Sequence, residues 1–202
     1  MQPITVVTIC LCLAMSIEAQ RPKPCASPPL LEGALSVMDA KFVQVVSGIF
    51  SYDGLGQKFR IRENVSVAGS SFALDTLFLF REHIQYKIFY QNQTCVRSPL
   101  DTRFRPLEVP PDAQFLTQMV VGGSSQPGEG VLGNQWTGKI PETKGTYYTL
   151  VSEFGCLPLS DLYYDAHGLW ITTFYDLITG IRDPNVFIPP SFCDKGISLE
   201  AL

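Results

Sequence analysis

Histidine is nearly missing from this chain of 202 residues, which holds only His83 and His167. A Ser-His-Asp triad or a three-histidine metal centre therefore has no support, and no G-x-S-x-G elbow stands ready to pair with either residue. Basic charge is scarce too. Fifteen Lys and Arg against nineteen Asp and Glu give a net charge of −4, and only 17% of residues are charged, so a nucleic-acid partner, which needs a basic face, is excluded. None of the six cysteines forms a C-x-x-C pair, which removes zinc ribbons and thioredoxin-like redox sites. A helical apolar stripe is absent as well, and 15 prolines with 16 glycines punctuate the chain. What remains is apolar: 46% of residues are hydrophobic, too many for a disordered segment.

The first 19 residues carry Ile4, Val6, Val7, Ile9, Leu11, Leu13 and Met15 and end in Ala19. Polar, proline-punctuated residues Gln20 to Pro24 follow. A run this short, where a membrane span needs roughly 20 apolar residues, reads as a cleaved secretory signal over 1–19, with no transmembrane anchor. Residues 20–202 then suit one domain with a sizeable core. Cleavage removes Cys10 and Cys12 and leaves Cys25, Cys95, Cys156 and Cys193, an even number in an oxidising compartment. Two disulfides are expected, and spacing alone does not choose among the three pairings. The sequons Asn64-Val65-Ser66 and Asn92-Gln93-Thr94 agree with secretion and make Asn64 and Asn92 glycosylation candidates.

Hydrophobicity alternates with period two through most of the chain, which points to an all-β fold with at most a short helix. Lys58 to Arg62 sets Phe59 and Ile61 against three cations, a half-buried strand. Leu77 to Phe80 and Ile84 to Tyr90 flank a turn at Arg81 to His83, and the first of these is apolar on both faces. Further strands are expected over Phe42 to Tyr52, Phe115 to Val121, Thr146 to Phe154 and Leu169 to Ile178, where β-branched and aromatic residues gather. A strand that is apolar on both faces must hide both. Phe78 and Phe80, with Phe59, Ile61, Tyr86 and Ile88 from neighbouring strands, are therefore the candidate lining of an apolar pocket. On the residues alone, an ordinary closed sandwich core is the favoured explanation, since every sandwich needs apolar inward faces.

Other motifs yield to simpler readings. Gly128 to Gly133 matches a dinucleotide fingerprint, and Gly133 to Lys139 matches most of a phosphate loop. Either site needs a helix amino terminus behind the glycines, and Gly138-Lys139-Ile140-Pro141 cannot supply one, so a glycine-rich loop is expected. Asp161, Asp165 and Asp176 lie in one region and would be the carboxylates of a hydrolase, but turn positions account for them. Lys58, Arg60 and Arg62, and Arg103 with Arg105, read as solvated faces. No EF-hand loop is present.

Several strings together resemble one family. Cys25-Ala26-Ser27-Pro28-Pro29 with Glu32-Gly33, Phe50-Ser51-Tyr52-Asp53, Glu108 to Ala113, Gly155-Cys156-Leu157-Pro158, and the long run Gly180 to Cys193 are similar to the ependymins and ependymin-related proteins, across nearly the whole mature chain. Asn92-Gln93-Thr94-Cys95 resembles the glycosylation site that this family places ahead of a cysteine.

The resemblance implies two curved antiparallel sheets in a half-open barrel around an apolar pocket, a fold like that of bacterial lipoprotein carriers. It implies the pairings Cys25 with Cys156 and Cys95 with Cys193. It also implies a secreted, non-enzymatic homodimer that binds an amphipathic lipid or other hydrophobic ligand, works in extracellular matrix or cell adhesion, and is associated with calcium held by protein or glycan. No other cofactor is expected. The extracellular space is the expected location, with the lysosome, where some relatives reside, second. A matrix glycoprotein acting through its surface and glycans, without a lipid ligand, is the alternative. The acidic tail and third bridge of some relatives have no counterpart here.

Overall fold

A computed structural model of the chain describes residues 21–40, 44–67, 70–195 and 197–198. The expected signal at 1–19 lies outside the described residues. Among the described residues twelve strands carry the fold: β1 Leu30–Asp39, β2 Gln44–Asp53, β3 Lys58–Val67, β4 Ser70–Leu79, β5 Ile84–Phe89, β6 Thr94–Pro99, β7 Gln114–Gly122, β8 Gly130–Ile140, β9 Gly145–Ser152, β10 Pro158–Tyr164, β11 Leu169–Thr179 and β12 Ile197–Ser198. Helical structure among the described residues is confined to two 3₁₀ turns, Pro184–Phe187 and Ser191–Lys195.

The strands form two antiparallel meanders, β1 to β6 and β7 to β11, and these join where β1 pairs with β11. The fold is thus all-β and open, as expected, with the two expected sheets merged into one. Short β12 adds to β6 in parallel, and β7 is the opposite edge. The alternation at Phe59 and Ile61 matches β3, and the turn at Arg81 to His83 separates β4 from β5. Of the expected strand Phe42 to Tyr52, residues 42–43 lie outside the described set, and the rest falls in β2.

Strands β1, β6, β8, β10 and the short β12 are not expected from the pattern. Glycines 130, 133 and 138 give β8 a poor intrinsic preference, and pairing with β7 and β9 along its whole length overrides it. The glycine-rich loop expected at Gly128 to Lys139 is therefore mostly strand. Only the hairpin turn before Gly130 keeps that character.

Both faces of the sheet are partly covered, by different segments. Strands β6 and β7 stand ten strand spacings apart in the order, about 48 Å if the sheet were flat. Residues 100–113 must bridge that gap, so they cross one face instead of looping over an edge. We call this the crossover face. Leu31, Leu35, Phe50, Tyr52 and Ile61 form its core, with Phe59, Phe78, Phe104, Leu107 and Phe174 packed against them. The Tyr52 hydroxyl accepts from Leu107 N at 3.1 Å, which pins the crossover in place. Farther along, Val109 packs with Trp136, Val151 and Cys156. There Cys25 is bonded to Cys156, tying the amino-terminal arm to this face.

The carboxyl-terminal segment, residues 181–195, lies on the opposite or tail face. Val186, Phe187 and Cys193 cover Leu77, Leu79 and Ile88, and the Cys95–Cys193 disulfide anchors the segment to β6. Beneath it is a group that the alternation places on a solvated face: Arg60 is buried. Its Nε and Nη2 donate to both oxygens of Asp75, at 2.9 and 2.7 Å, Nη1 donates to Val186 O at 2.6 Å, and Nη2 also reaches the Tyr90 hydroxyl at 2.9 Å. The solvated reading fails here because the tail folds back over the β3 cation. Sequence alternation cannot register that event. Lys58 is half-buried and Arg62 remains exposed.

Candidate functional site

Strand register divides the six residues expected to line one pocket. Phe59 pairs with Phe78, and Ile61 with Thr76, on the crossover face. Their rings stack on the protein's own groups: Phe59 against Phe50 at 5.7 Å, and Phe78 against Phe80 at 6.1 Å, with Phe80 edge-on to Phe104 at 5.2 Å. Tyr86 sits opposite Leu77, and Ile88 opposite Asp75, which turns both to the tail face under the carboxyl-terminal segment. The expected shared lining is thus corrected to parts of two separate cores. The physical reason is the period of two, since adjacent residues of β4 face opposite ways.

An open apolar surface does exist, built mostly from other residues; of the six, Ile88 borders its main cavity. On the tail face, Met38 of β1 lies between Val45 of β2 and Ile171 of β11, Ile171 lies opposite Leu162 of β10, and Leu162 opposite Tyr148 of β9. Beside this row, Ala34 is flanked by Ile49 and Tyr175. The carboxyl-terminal segment stops short of these strands. Val45, Ile49, Met38 and Tyr175 are accordingly 51%, 52%, 40% and 42% exposed, in the interior strands of a sheet where such residues are ordinarily hidden. Patches of this kind on a soluble protein mark sites that meet another molecule.

The same face is hollowed. One cavity of about 630 Å³ is lined by Ala34, Ile49, Leu74, Ile88, Tyr90 and Tyr175, among others. Tyr175 on β11 and Asn92 beyond β5 both border it, so the sheet bends toward the tail face across these strands. A second hollow, of about 510 Å³, adjoins it under Arg182 and Val186 and shares Ala34, Ile49, Arg62 and Tyr90. A shallower depression of about 320 Å³ continues the surface over Tyr148, Leu150, Leu162 and Ile171. Sequence reasoning singled out only β4 as a two-faced strand. The same signal stands in Val45-Val46, Ile49-Phe50 and Phe174-Tyr175, where neighbouring large apolar residues must occupy opposite faces.

The three aspartates do not converge on a reaction centre. Asp165 occupies the β10–β11 turn, where backbone N–H groups of His167 and Gly168 and the Tyr163 hydroxyl hold its carboxyl below the ordinary range. Asp176 is exposed within β11 at a positive φ of 53°. Asp161 corrects the turn reading: it lies within β10, on the crossover face, lining a separate cavity of about 490 Å³ with Tyr147, Thr149 and Tyr163. Burial raises its pKa, and a hydrogen bond with Thr149 offsets part of that rise.

Asn92 is exposed in the turn after β5, its side-chain oxygen accepting from Thr94 Oγ1 at 2.7 Å. Asn64 falls mid-strand in β3, opposite Ser47 and Ala73, and its side chain lies outside the described residues. Among the described residues, no three of His, Cys, Asp and Glu gather as a metal site. No described helix is long and apolar enough to cross a membrane.

Comparison with known proteins bears directly on this arrangement. The family model described as Ependymin matches residues 68–193. Ependymin-2 of Carassius auratus is 34% identical over 197 residues, covering 98% of this chain and 91% of its own. The chain belongs to the ependymin family. Among solved structures, an uncharacterized conserved protein from Thermus thermophilus aligns with a TM-score of 0.54 at 12% identity, over 90% of this ependymin and 94% of its own chain, a likeness of fold alone. A LolA superfamily protein from Nitrosomonas europaea overlaps at a TM-score of 0.32 and 9% identity, over 83% and 91% of the two chains, and nothing rests on it here. The two disulfides are bonds that persist in oxidising compartments.

Proposed function

We propose that this ependymin is a secreted, non-enzymatic binder of an amphipathic lipid, which lies along the uncovered part of the tail face. The observation that carries the reading is the row Val45, Met38, Ile171, Leu162 and Tyr148, with Ile49 and Tyr175 beside it, open beside a hollow of about 630 Å³. A hollow of this size suits a small amphiphile. Covering about 300 Å² of that surface with acyl chain would contribute roughly 7 kcal/mol before the entropic cost of association. The leader expected over 1–19 and the disulfides support secretion, and an extracellular role beside matrix or cell surfaces goes with it. Glycans at Asn92, and at Asn64 where it is modified, belong to the same reading.

The pairing of two copies is assigned to β7 at the sheet edge. Its nine residues hold no charge and are exposed on nearly all sides, and no strand covers its outer edge among the described residues. An uncharged free edge is a ready template for a second strand.

The test is to prepare the mature protein from eukaryotic cells and to examine it by native mass spectrometry and lipid extraction. A copurifying amphiphile, lost when Ile49→Asp places a charge on the face, is the expected result. A lipid-free protein that fails to take up a neutral fluorescent acyl probe would overturn the reading. So would a second copy found seated on this face.

A further inference from the structure

The crossover face holds a cavity that the lipid reading leaves unused. It measures about 490 Å³, within the range of small-molecule sites, and lies between the crossover segment and strands β8 to β10. Strand register builds its floor. Thr172, Asp161, Thr149 and Trp136 stand in one row across β11, β10, β9 and β8, with Trp170, Tyr163, Tyr147 and Gly138 in the next row on the same face. Glycine shapes the second row. A Cβ at Gly138 would run into the Tyr147 ring, and one at Gly145 into the Tyr163 ring, so both tyrosines lie across a neighbouring strand instead of standing up from the sheet. Tyr163 is held in that pose by Trp170, stacked at 5.7 Å, and by Thr143 Oγ1, 2.6 Å from its hydroxyl. It leans toward the β8–β9 turn, and Asp161 is left facing the cavity.

Asp161 is the group here that the fold does not account for. Desolvation raises its pKa, so its ionised form is a cost to the folded protein at neutral pH. Thr149 is its one recorded partner among the described residues, although an ionised carboxylate can accept about four hydrogen bonds. No recorded ion pair reaches it there. The charge around the cavity favours a cation. Six charged side chains border it, Arg105 and Lys139 against Glu108, Asp112, Glu142 and Asp161. Arg105 is paired with Glu142 at 3.7 Å on the exposed rim. Lys139, exposed near the end of β8, is then the one remaining cation against Glu108, Asp112 and Asp161.

We propose that this cavity binds a small organic amine, whose ammonium meets Asp161 and whose apolar body packs against Ile140, Pro141 and the tyrosine rings. The ammonium donates charge-assisted hydrogen bonds to a carboxylate that the protein leaves underpaired, and so supplies the counter-charge that the fold omits. A carboxyl that is desolvated, lies in a cleft and serves no structural pairing is the pattern of a binding group. The site lies on the opposite face of the sheet from the tail-face row and does not depend on the lipid reading.

Two probes, 4-phenylbutylamine and 4-phenylbutanol, share one apolar body and differ in charge. Both tryptophans of the chain, Trp136 and Trp170, stand in the two rows of the cavity floor, so intrinsic fluorescence reports on this face. In the mature, disulfide-bonded protein from eukaryotic cells, the amine is expected to change that fluorescence and to bind more tightly than the alcohol. Asp161→Asn should lower the ratio of amine to alcohol affinity by roughly tenfold, the scale of a charge-assisted hydrogen bond at a partly open site, and leave the alcohol unchanged. Asp176→Asn removes a charge of the same sign elsewhere on the sheet and should leave the ratio as it is. A ratio unmoved by Asp161→Asn, or fluorescence unmoved by both probes, would overturn the proposal. Loss of the amine response in Ile49→Asp would place the probe on the tail face and contradict it. Displacement of the amine by calcium chloride at matched ionic strength would assign the cavity to an inorganic cation and contradict the amine.

Discussion

Two side chains show what burial does to charge in this protein. Arg60 is tolerated under the carboxyl-terminal tail because Asp75, Val186 O and Tyr90 accept its N–H groups and offset the cost of burying its charge. Asp75→Asn would leave that cation desolvated and poorly paired, a defect that costs about 3–5 kcal/mol. For a chain of this size that lowers Tm by roughly 10 °C, readable by calorimetry. The paired apolar replacement Arg60→Met with Asp75→Leu should cost less than Asp75→Asn alone. Asp161 is the opposite case, a carboxyl whose burial favours the protonated form. Because its folded pKa lies above its unfolded one, the folded state binds more protons between the two, so this group's contribution to stability falls as pH rises through that window. Asp161→Asn should therefore raise stability at neutral pH, and the gain should vanish below about pH 4, near the unfolded pKa of aspartate. Denaturant titrations at about pH 3.5 and about pH 7.5, on either side of that window, compare the two. Neither residue's burial could be seen in sequence, since each environment is made by a distant segment: residues 181–195 for Arg60, and the crossover for Asp161.

At the scale of elements, alternation was legible wherever a strand has one polar and one apolar face, as at Lys58 to Arg62. It failed where strands are apolar on both sides or rich in glycine. Gly33 in β1 illustrates the second class: a Cβ there would meet Leu177 Cδ2 at 2.5 Å, so the residue permits close packing at a β-bulge and does not signal a turn. The tail is an element held by both pairing and crosslink. Replacing Cys95 and Cys193 together by serine should reduce stability by about 2–5 kcal/mol and increase binding of a dye for exposed apolar surface, as Leu77, Leu79 and Ile88 are uncovered. Edge strand β7 makes a further prediction. Leu116→Lys with Val121→Lys puts charge on an edge that has none, and sedimentation velocity should then show a monomer where the wild type forms a dimer. A mutant dimer of unchanged affinity would place the contact elsewhere.

For the molecule as a whole, the open all-β architecture was within reach of the sequence, because period-two patterning and scattered turn residues leave few other solutions. The apolar site was reached only in kind. Phe59, Ile61, Phe78 and Phe80 are large and β-compatible, as are Val45, Ile49, Met38 and Tyr175. What separates core from open surface is which face the crossover and the tail happen to cover. That choice is made by residues 100–113 and 181–195, far from these strands in sequence, the first held by the Tyr52 hydroxyl and the second by the Cys95–Cys193 disulfide. The account accordingly stands on the tail face being left open for a lipid. The most direct measurement is native mass spectrometry of mature protein from eukaryotic cells, beside the Ile49→Asp variant. A bound amphiphile on the wild type that the variant lacks is what the account predicts. Equal occupancy in both proteins, or an unoccupied wild type that excludes acyl probes, would contradict it.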